Sequence, residues 1–358
     1  MKNDYLWDGS GEPDPELQKL ERALGQFRTT AEAPLFPAIR EAGRDEARSK
    51  SPVVLRMPRF AAVSALATVM ALAAALLWVG VPHVAVGPGW DVARLAGAPV
   101  VGSSAVQNGS AKAKLRVGEV LVTDSGSRAA VEVAEIGQLY VDPESRVRLV
   151  ETGSNRKRIR VEVGTIHAAI WAPPGEFVVD TPSATAVDLG CAYTLKVLPD
   201  GSGTLRTTLG WVGFHTNGRD SFIPAGAMCP TRPRLGPGTP FLEDSSDQFP
   251  AALAALDFEE LSPAQRHQAL GAVLSEARRQ DAFTLWHLLV RVSDEERPLV
   301  YKRLAALVPA PAGTTREGTL RLDPAMMDTW WNAFNLGDIT VWRFWEQHEA
   351  PPLKKAAN

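Results

Sequence analysis

Residues 60–81 form an uncharged stretch that limits what this 358-residue chain can fold into. The stretch reads FAAVSALATVMALAAALLWVGV and contains no charged, amide or histidine side chain. As a helix it would be roughly 33 Å long, which is enough to cross a bilayer core of about 30 Å. A buried helix of a soluble domain is usually shorter, and a cleaved signal peptide would begin near residue 1. We therefore predict a single uncleaved transmembrane helix over residues 60–81.

The distribution of basic residues predicts the orientation of this helix. The basic residues that closely precede it are Arg40, Arg44, Arg48, Lys50, Arg56 and Arg59. After it, Arg94 is the only lysine or arginine before Lys112. Because lysine and arginine are enriched on the cytoplasmic side of membrane helices, we expect residues 1–59 in the cytoplasm. The C-terminal bulk of the chain is then expected on the outer side of the membrane.

The predicted cytoplasmic segment, residues 1–59, contains the pattern of one amphipathic helix. Asp14 suits an N-cap and Pro15 suits the first helical position. Apolar residues then recur on one face, at Leu17, Leu20, Leu24 and Phe27. A short helix is only marginally stable alone, so this face needs a partner. The partner is either a second helix near residues 37–48 or another cytoplasmic protein, and the four residues are our candidate partner-binding face.

Beyond the predicted membrane helix, the pattern indicates two further domains. Short runs of alternating apolar and polar residues, separated by turns such as PDGSG at 199–203, predict an all-β domain over residues 90–234. We expect either a sandwich or a solenoid-like stack of short strands. A linker rich in proline and glycine is expected at 235–250. Helical periods with start signals at Ser262, Asp281, Ser293 and Asp323 then predict an all-α domain of helix pairs over residues 251–350.

The two cysteines of the chain, Cys191 and Cys229, both fall on the predicted exported side. Disulfide bonds persist in such oxidising compartments, and an even number of cysteines favours pairing. We therefore predict a disulfide bond between them. Two separately buried thiols are the alternative.

Motifs for catalysis, cofactor binding and metal binding are missing from the sequence. It has no GxSxG, P-loop or HExxH motif, and no GxGxxG motif before a helix. The cysteines form no CxxC pair, which argues against a redox site and a zinc ribbon. We therefore expect no enzyme activity, cofactor or metal site. The formal net charge of -3 gives no reason to expect direct nucleic-acid binding.

Three other features each allow two interpretations. The basic run RKRIR at 156–160 fits a solvated hairpin better than a polyanion site. His167 and His215 lie in strand-like runs and fit hydrogen-bonded structural residues better than catalytic ones. Four tryptophans near the C-terminus fit core positions at helical spacing better than a sugar- or membrane-binding surface, and they are Trp330, Trp331, Trp342 and Trp345.

The strand order over residues 115–229 matches the pattern of a known family. The segment EFVVDTPSATAVDLGCAYTLKV, residues 176–197, has a phenylalanine strand, a Thr-Pro break, then Leu-Gly and a short strand. Before it, RVEVGTIHAAI carries Gly164, and after it TLGWVGFHT and FIPAGAM carry Gly210 and Gly226. In these features the region resembles the FecR family of bacterial envelope sigma-factor regulators. Family members usually have threonine where this chain has Cys191.

The resemblance implies a single-pass protein of the bacterial inner membrane with a periplasmic sensing domain. It also implies that the cytoplasmic segment regulates a sigma factor, and that a periplasmic or envelope protein is a further partner. The helical C-terminal region departs from the iron-transport members, which argues against a siderophore role. The alternative hypothesis is a membrane-anchored envelope scaffold, or a module that binds glycans or proteins, without a sigma-factor role. An exported enzyme is the least favoured hypothesis.

Overall fold

The computed structural model describes residues 89–107, 113–216 and 218–348. These residues belong to one compact unit. The predicted transmembrane helix and the candidate face formed by Leu17, Leu20, Leu24 and Phe27 lie outside the described residues. Among the helices that are described, none is long and apolar enough to cross a bilayer.

Strands form the N-terminal part of this unit and helices form its C-terminal part. The strands are β1 (Gly89–Ala96), β2 (Val100–Val101), β3 (Ser104–Ala105), β4 (Ala113–Arg116), β5 (Val120–Val122), β6 (Arg128–Val133), β7 (Gly137–Val141), β8 (Arg146–Thr152), β9 (Lys157–Ile170), β10 (Phe177–Asp180), β11 (Thr185–Asp188), β12 (Ala192–Val197), β13 (Gly203–Leu209), β14 (Trp211–Thr216), β15 (Arg219–Pro224), β16 (Ala227–Arg232), β17 (Gly236–Pro237) and β18 (Phe241–Leu242).

Two sheets enclose one hydrophobic core. The first has the order β4-β1-β6-β7-β9-β12-β13-β16, and β17 and β18 pair with β16. The second has the order β3-β2-β5-β8-β9-β10-β11-β14-β15. All these pairs are antiparallel except β9 with β10. The sequence predicted either a sandwich or a solenoid-like stack of short strands, and the structure is a sandwich.

Strand β9 joins the two sheets, and a glycine determines where it passes between them. Residues up to Val163 pair with β8 and β10, and residues from Gly164 onward pair with β7 and β12. Gly164 has a φ angle of 107°, and a Cβ atom there would lie 2.1 Å from Ser145 Oγ. Only glycine accommodates both constraints without strain.

Alternating apolar residues of the predicted strands form the core, as period-two patterning requires. The buried residues include Ala129, Val131, Val133, Leu139, Val141, Val147, Leu149, Ile159, Val161, Phe177, Val179, Tyr193, Leu195 and Val197. Val163 also belongs to this pattern, but it is only half-buried. It directly precedes Gly164, where the strand changes sheet.

The helical layer follows the last strands. Its helices are α1 (Gln248–Phe258), α2 (Pro263–Glu276), α3 (Ala282–Arg291), α4 (Arg297–Leu307), α5 (Arg316–Leu320), α6 (Pro324–Ala333) and α7 (Ile339–His348). The cap signals at Ser262 and Asp323 are confirmed, since each side chain accepts a backbone N–H three residues later. Ser293 and Glu296 exchange hydrogen bonds as a capping box would, but α4 begins only at Arg297.

Residues 235–250, for which the sequence predicts a linker, contain β17, β18 and the first turn of α1. Pro237 and Thr239 are buried. This segment therefore joins the sandwich to the helices through paired, partly buried backbone.

The predicted disulfide bond is not formed, and Cys191 and Cys229 are separate buried thiols. Cys229 pairs in register with Leu205 on β13, whereas Cys191 precedes Ala192, which pairs with Leu209. Four strand residues, about 13 Å, separate those two levels along β13. Disulfide bonds require Cα atoms within roughly 7 Å. The alternative of two buried thiols is therefore the correct one.

Candidate functional site

The helices pack on strands β14 and β15 through a cluster of aromatic side chains. Phe222 on β15 is its centre, with ring-centroid distances of 5.0 Å to Trp331 and 5.1 Å to Trp342. Trp286 lies 5.7 Å from the same ring. The backbone N–H of Phe222 also donates to His287 Nε2 on α3, at 2.9 Å. Because aromatic side chains bury large areas and favour edge-to-face contacts, this cluster fixes the helices on the sandwich.

The four C-terminal tryptophans belong to this packed layer. Trp330, Trp331, Trp342 and Trp345 are all buried, which confirms the core interpretation. Glycines in the sandwich make room for two of these rings. A Cβ atom on Gly213 of β14 would lie 2.0 Å from Trp342, and one on Gly175 would lie 2.6 Å from Trp345.

A cleft of about 470 Å³ opens beside this aromatic cluster. Its size is within the range of small-molecule sites. Strand β15 and helices α1, α3 and α7 all contribute side chains to it. Its lining residues are Gly218, Arg219, Asp220, Phe222, Leu256, Asp257, Trp286, His287, Val290, Arg291 and Arg343. We take this cleft as the candidate functional site, because it combines an apolar wall with several charged groups.

Two arginines of the cleft share one buried carboxylate. Arg219 donates to Asp257 Oδ1, and Arg291 Nη1 lies 3.6 Å from the same oxygen. Asp257 also accepts hydrogen bonds from the backbone N–H and the hydroxyl of Thr239. Arg291 is almost fully buried, and burial lowers its pKa to about 10 although the attraction of Asp257 opposes this shift. The attraction of Asp257 is therefore smaller than the cost of removing the Arg291 guanidinium from water.

The surroundings of the two histidines near the cleft shift their pKa values in opposite directions. Burial lowers the pKa of His287 well below its usual value, and the charge of Arg291 lowers it further. His287 Nε2 accepts from Phe222, and its Nδ1 donates to the carbonyl of Phe283, so the ring is neutral. His215 donates to Asp220 at 2.8 Å, and this hydrogen bond raises its pKa. His215 also meets Trp345 edge-on, which links β14 to α7.

A second polar cluster lies inside the sandwich and involves Asp188, Cys191, Tyr193 and Thr207. Asp188 Oδ1 accepts from the backbone N–H groups of Gly190 and Cys191. Three buried oxygens have no hydrogen-bond partner among the described residues, namely Asp188 Oδ2, Tyr193 Oη and Thr207 Oγ1. Burial raises the pKa of Asp188 to about 7 and raises that of the Cys191 thiol. Cys191 is therefore a protonated, unreactive thiol.

The other features that sequence analysis singled out are neutralised or hydrogen-bonded. Four residues of the run RKRIR, from Lys157 to Arg160, lie on β9 rather than in a solvated hairpin. Lys157 is buried against Glu176, and Arg158 forms two hydrogen bonds to Asp180. His167 contacts Asp142 and Thr194. Within the described ranges, no group of three or more histidine, cysteine or acidic side chains is arranged to hold a metal ion.

Comparison with known families identifies the central part of the sandwich. Residues 119–209 match the sequence model described as FecR protein. This region is a FecR domain. The match begins just before β5 and ends with β13, which is within the range over which the resemblance extends. It ends before β14, so every residue that lines the cleft lies beyond the matched part of the FecR domain.

Two crystal structures of a candidate anti-sigma factor from Parabacteroides distasonis are similar to parts of the chain. The first has 15% sequence identity and a TM-score of 0.31 and covers 37% of this chain. The second has 14% identity and a TM-score of 0.31 and covers 43% of this chain. The chain spans 63% of the first of these proteins and 73% of the second. No curated protein matches the chain.

Sequence patterns gave no signal for the cleft. Arg219 lies within NGRD, residues 217–220, for which the sequence predicts a turn. Arg291 ends an apolar helix, and Asp257 lies near the end of another helix. Each position suits a solvated charge equally well. Only the packing of helices on β15 brings them together, across separations of 38 and 72 residues in the chain.

Proposed function

We propose that this protein is a single-pass inner-membrane regulator of a sigma factor. Residues 1–59 bind the sigma factor in the cytoplasm, residues 60–81 cross the membrane, and the FecR domain with its helical layer senses conditions in the periplasm. The observation that carries this proposal is the FecR match at residues 119–209. The uncharged stretch at 60–81, with basic residues on its N-terminal side, supports the topology.

The proposed mechanism is a change in the exported part that alters the exposure, or the proteolytic release, of the cytoplasmic segment. A single alanine-rich helix transmits little by itself, so proteolysis or a change of oligomeric state explains coupling better than piston motion. Such coupling requires that a ligand or partner favours one state over the other. The aromatic cluster around Phe222 packs the helices tightly on the sandwich. This packing supports a sensor in which the sandwich and the helices change state together.

Co-purification of a sigma factor with the full-length protein tests this proposal. The tagged protein, extracted from membranes in mild detergent, should retain a sigma factor. The double variant Leu20→Asp, Leu24→Asp should lose it, because two charges on the apolar face prevent its burial. Leu209→Asp is the matched control, since Leu209 is 67% exposed in the FecR domain.

Two outcomes would contradict the proposal. Equal recovery of the sigma factor with the double variant would show that the Leu20 and Leu24 face is not the binding site. Recovery of no sigma factor with the wild-type protein would remove the proposed role itself.

A further inference from the structure

A further cavity, of about 340 Å³, lies at one end of strands β10, β11 and β14. Three segments enclose it, namely the turn from Thr181 to Thr185, the end of β14 at Thr216, and the turn between β16 and β17 that carries Arg234. Its volume is at the lower end of the range for small-molecule sites. The cavity therefore has room for one small molecule.

This cavity carries one positive charge that no neighbouring carboxylate compensates. Its lining includes two arginines, Arg219 and Arg234, and no acidic side chain. Arg219 is paired with Asp257, so its charge is already compensated. Arg234 is exposed, and no acidic side chain pairs with it among the described residues. Because charge-assisted hydrogen bonds are the strong ones, one anionic group of a ligand should bind at Arg234.

Two hydroxyl groups of the lining can form hydrogen bonds with a ligand. Thr185 donates to Asp180 Oδ1 at 3.1 Å, which leaves the lone pairs of its hydroxyl oxygen as acceptors. Asp180 is paired with Arg158 and therefore adds no uncompensated negative charge. Thr216 is half-buried, and its hydroxyl has no hydrogen-bond partner in the part of the chain that the structure describes. A matching ligand therefore needs hydroxyl groups of its own beside its anionic group.

The lining offers little hydrophobic contact, in contrast to the cleft beside the aromatic cluster. Its apolar side chains are Pro182, Ala184 and Leu235, of which Pro182 and Leu235 are exposed. Thr181 and Ser183 complete the wall, and each of their hydroxyl groups donates to a backbone carbonyl. A fatty acid or another amphiphile would therefore find no apolar wall in this cavity.

We propose that the cavity binds a sugar acid, with the carboxylate at Arg234 and hydroxyl groups at Thr185 and Thr216. A sugar acid combines a single negative charge with several hydroxyl donors. A neutral sugar leaves the charge of Arg234 unmatched, and acetate leaves both threonine hydroxyls without a ligand partner. The inference goes beyond the proposed regulatory role and does not depend on it.

Titration calorimetry on the full-length protein in detergent micelles tests the ligand class. The probes are glucuronate, glucose and acetate, which are hydrophilic and stay outside the micelles. We expect glucuronate to bind, and glucose and acetate to bind at least about tenfold more weakly, because each lacks part of the contacts. Glucose or acetate binding as tightly as glucuronate would overturn the proposal, and so would a lack of glucuronate binding at millimolar concentration.

Arg234→Gln tests the location of the charged contact. This variant should bind glucuronate at least about tenfold more weakly than wild type, and it should no longer distinguish glucuronate from glucose. Arg94→Gln is the matched control, because Arg94 on β1 is another exposed arginine without an ion-pair partner among the described residues. The control should bind glucuronate as wild type does.

Thr216→Val tests the hydroxyl contact, and it decides the location if Arg234→Gln does not fold. Valine keeps the shape of threonine but lacks the hydroxyl, so we expect about fivefold weaker glucuronate binding. Unchanged glucuronate binding in either cavity variant that folds would overturn the location. No sigma factor is present, so these results are independent of the co-purification test.

Discussion

At the scale of single residues, Asp188 is an acidic side chain buried inside the FecR domain. Its carboxyl is buried, and Oδ2 has no partner among the described residues. Burial raises its pKa to about 7, although hydrogen bonds from Cys191 and Gly190 oppose this shift. An unfolded aspartate has a pKa of about 3.9. The folded protein therefore keeps a proton that the unfolded chain releases, and stability falls as the pH rises from about 4 to 7.

Asp188→Asn should remove this pH dependence, because an amide remains neutral at every pH in the range. At pH 7 we expect the variant to be more stable than wild type by about 2 to 4 kcal/mol. The measurement is urea unfolding of the full-length protein in detergent, followed by tryptophan fluorescence between about pH 4 and 7.

Asp200→Asn is the matched control for this experiment. Asp200 is exposed in the turn between β12 and β13, where it bonds Ser202. It should keep the wild-type slope of stability against pH. The pKa of His215 is also raised in the folded protein. The stabilisation that comes from its positive charge is therefore lost as the pH rises through its folded-state pKa. We expect this histidine to leave a residual slope of stability against pH in both variants. If Asp188→Asn keeps the full wild-type slope below about pH 6, the assignment to Asp188 is wrong.

At the scale of secondary-structure elements, the contact between β14 and α7 depends on the missing side chain of Gly213. Gly213→Ala would place a methyl group 2.0 Å from the Trp342 ring, so strand or helix must shift. We expect a loss of about 1 to 3 kcal/mol in the free energy of unfolding. Urea unfolding measures this change, and hydrogen exchange should show faster exchange in α7.

Gly271→Ala, in helix α2, is the control for the added methyl group. No atom lies within 4 Å of its Cβ position, so alanine should be neutral or stabilise the helix by up to about 1 kcal/mol. If the two substitutions change the free energy of unfolding equally, the packing of Trp342 on β14 does not depend on the missing side chain of Gly213.

Elements defined by local rules could be predicted from sequence, whereas their associations could not. Ser262 and Asp323 cap helices where predicted, because a cap needs only residues three positions away. The PDGSG turn joins β12 to β13 as predicted, because a tight turn is likewise determined by residues that are neighbours in the chain. By contrast, the contact of Gly213 with Trp342 spans 129 residues, and no local pattern encodes it. The disulfide prediction was wrong because cysteine number carries no information about strand register.

At the scale of the whole molecule, sandwich and helices form one unit whose cleft lies outside the family match. The FecR match ends at residue 209, whereas the cleft is built from residues 218–343. Regulation of a sigma factor is thus proposed from the matched part alone. The cytoplasmic face at Leu17, Leu20, Leu24 and Phe27 remains a prediction from periodicity.

The most direct test of the regulatory role is a transcript profile of cells that produce the chain without residues 2–59. The variant keeps residues 60–358 and therefore keeps the predicted anchor and the exported unit. We predict that one group of genes, sharing a promoter type read by a single alternative sigma factor, changes in expression relative to wild type. Unchanged transcripts, with the variant still present in the membrane at wild-type level, would contradict sigma-factor regulation and favour an anchored envelope scaffold.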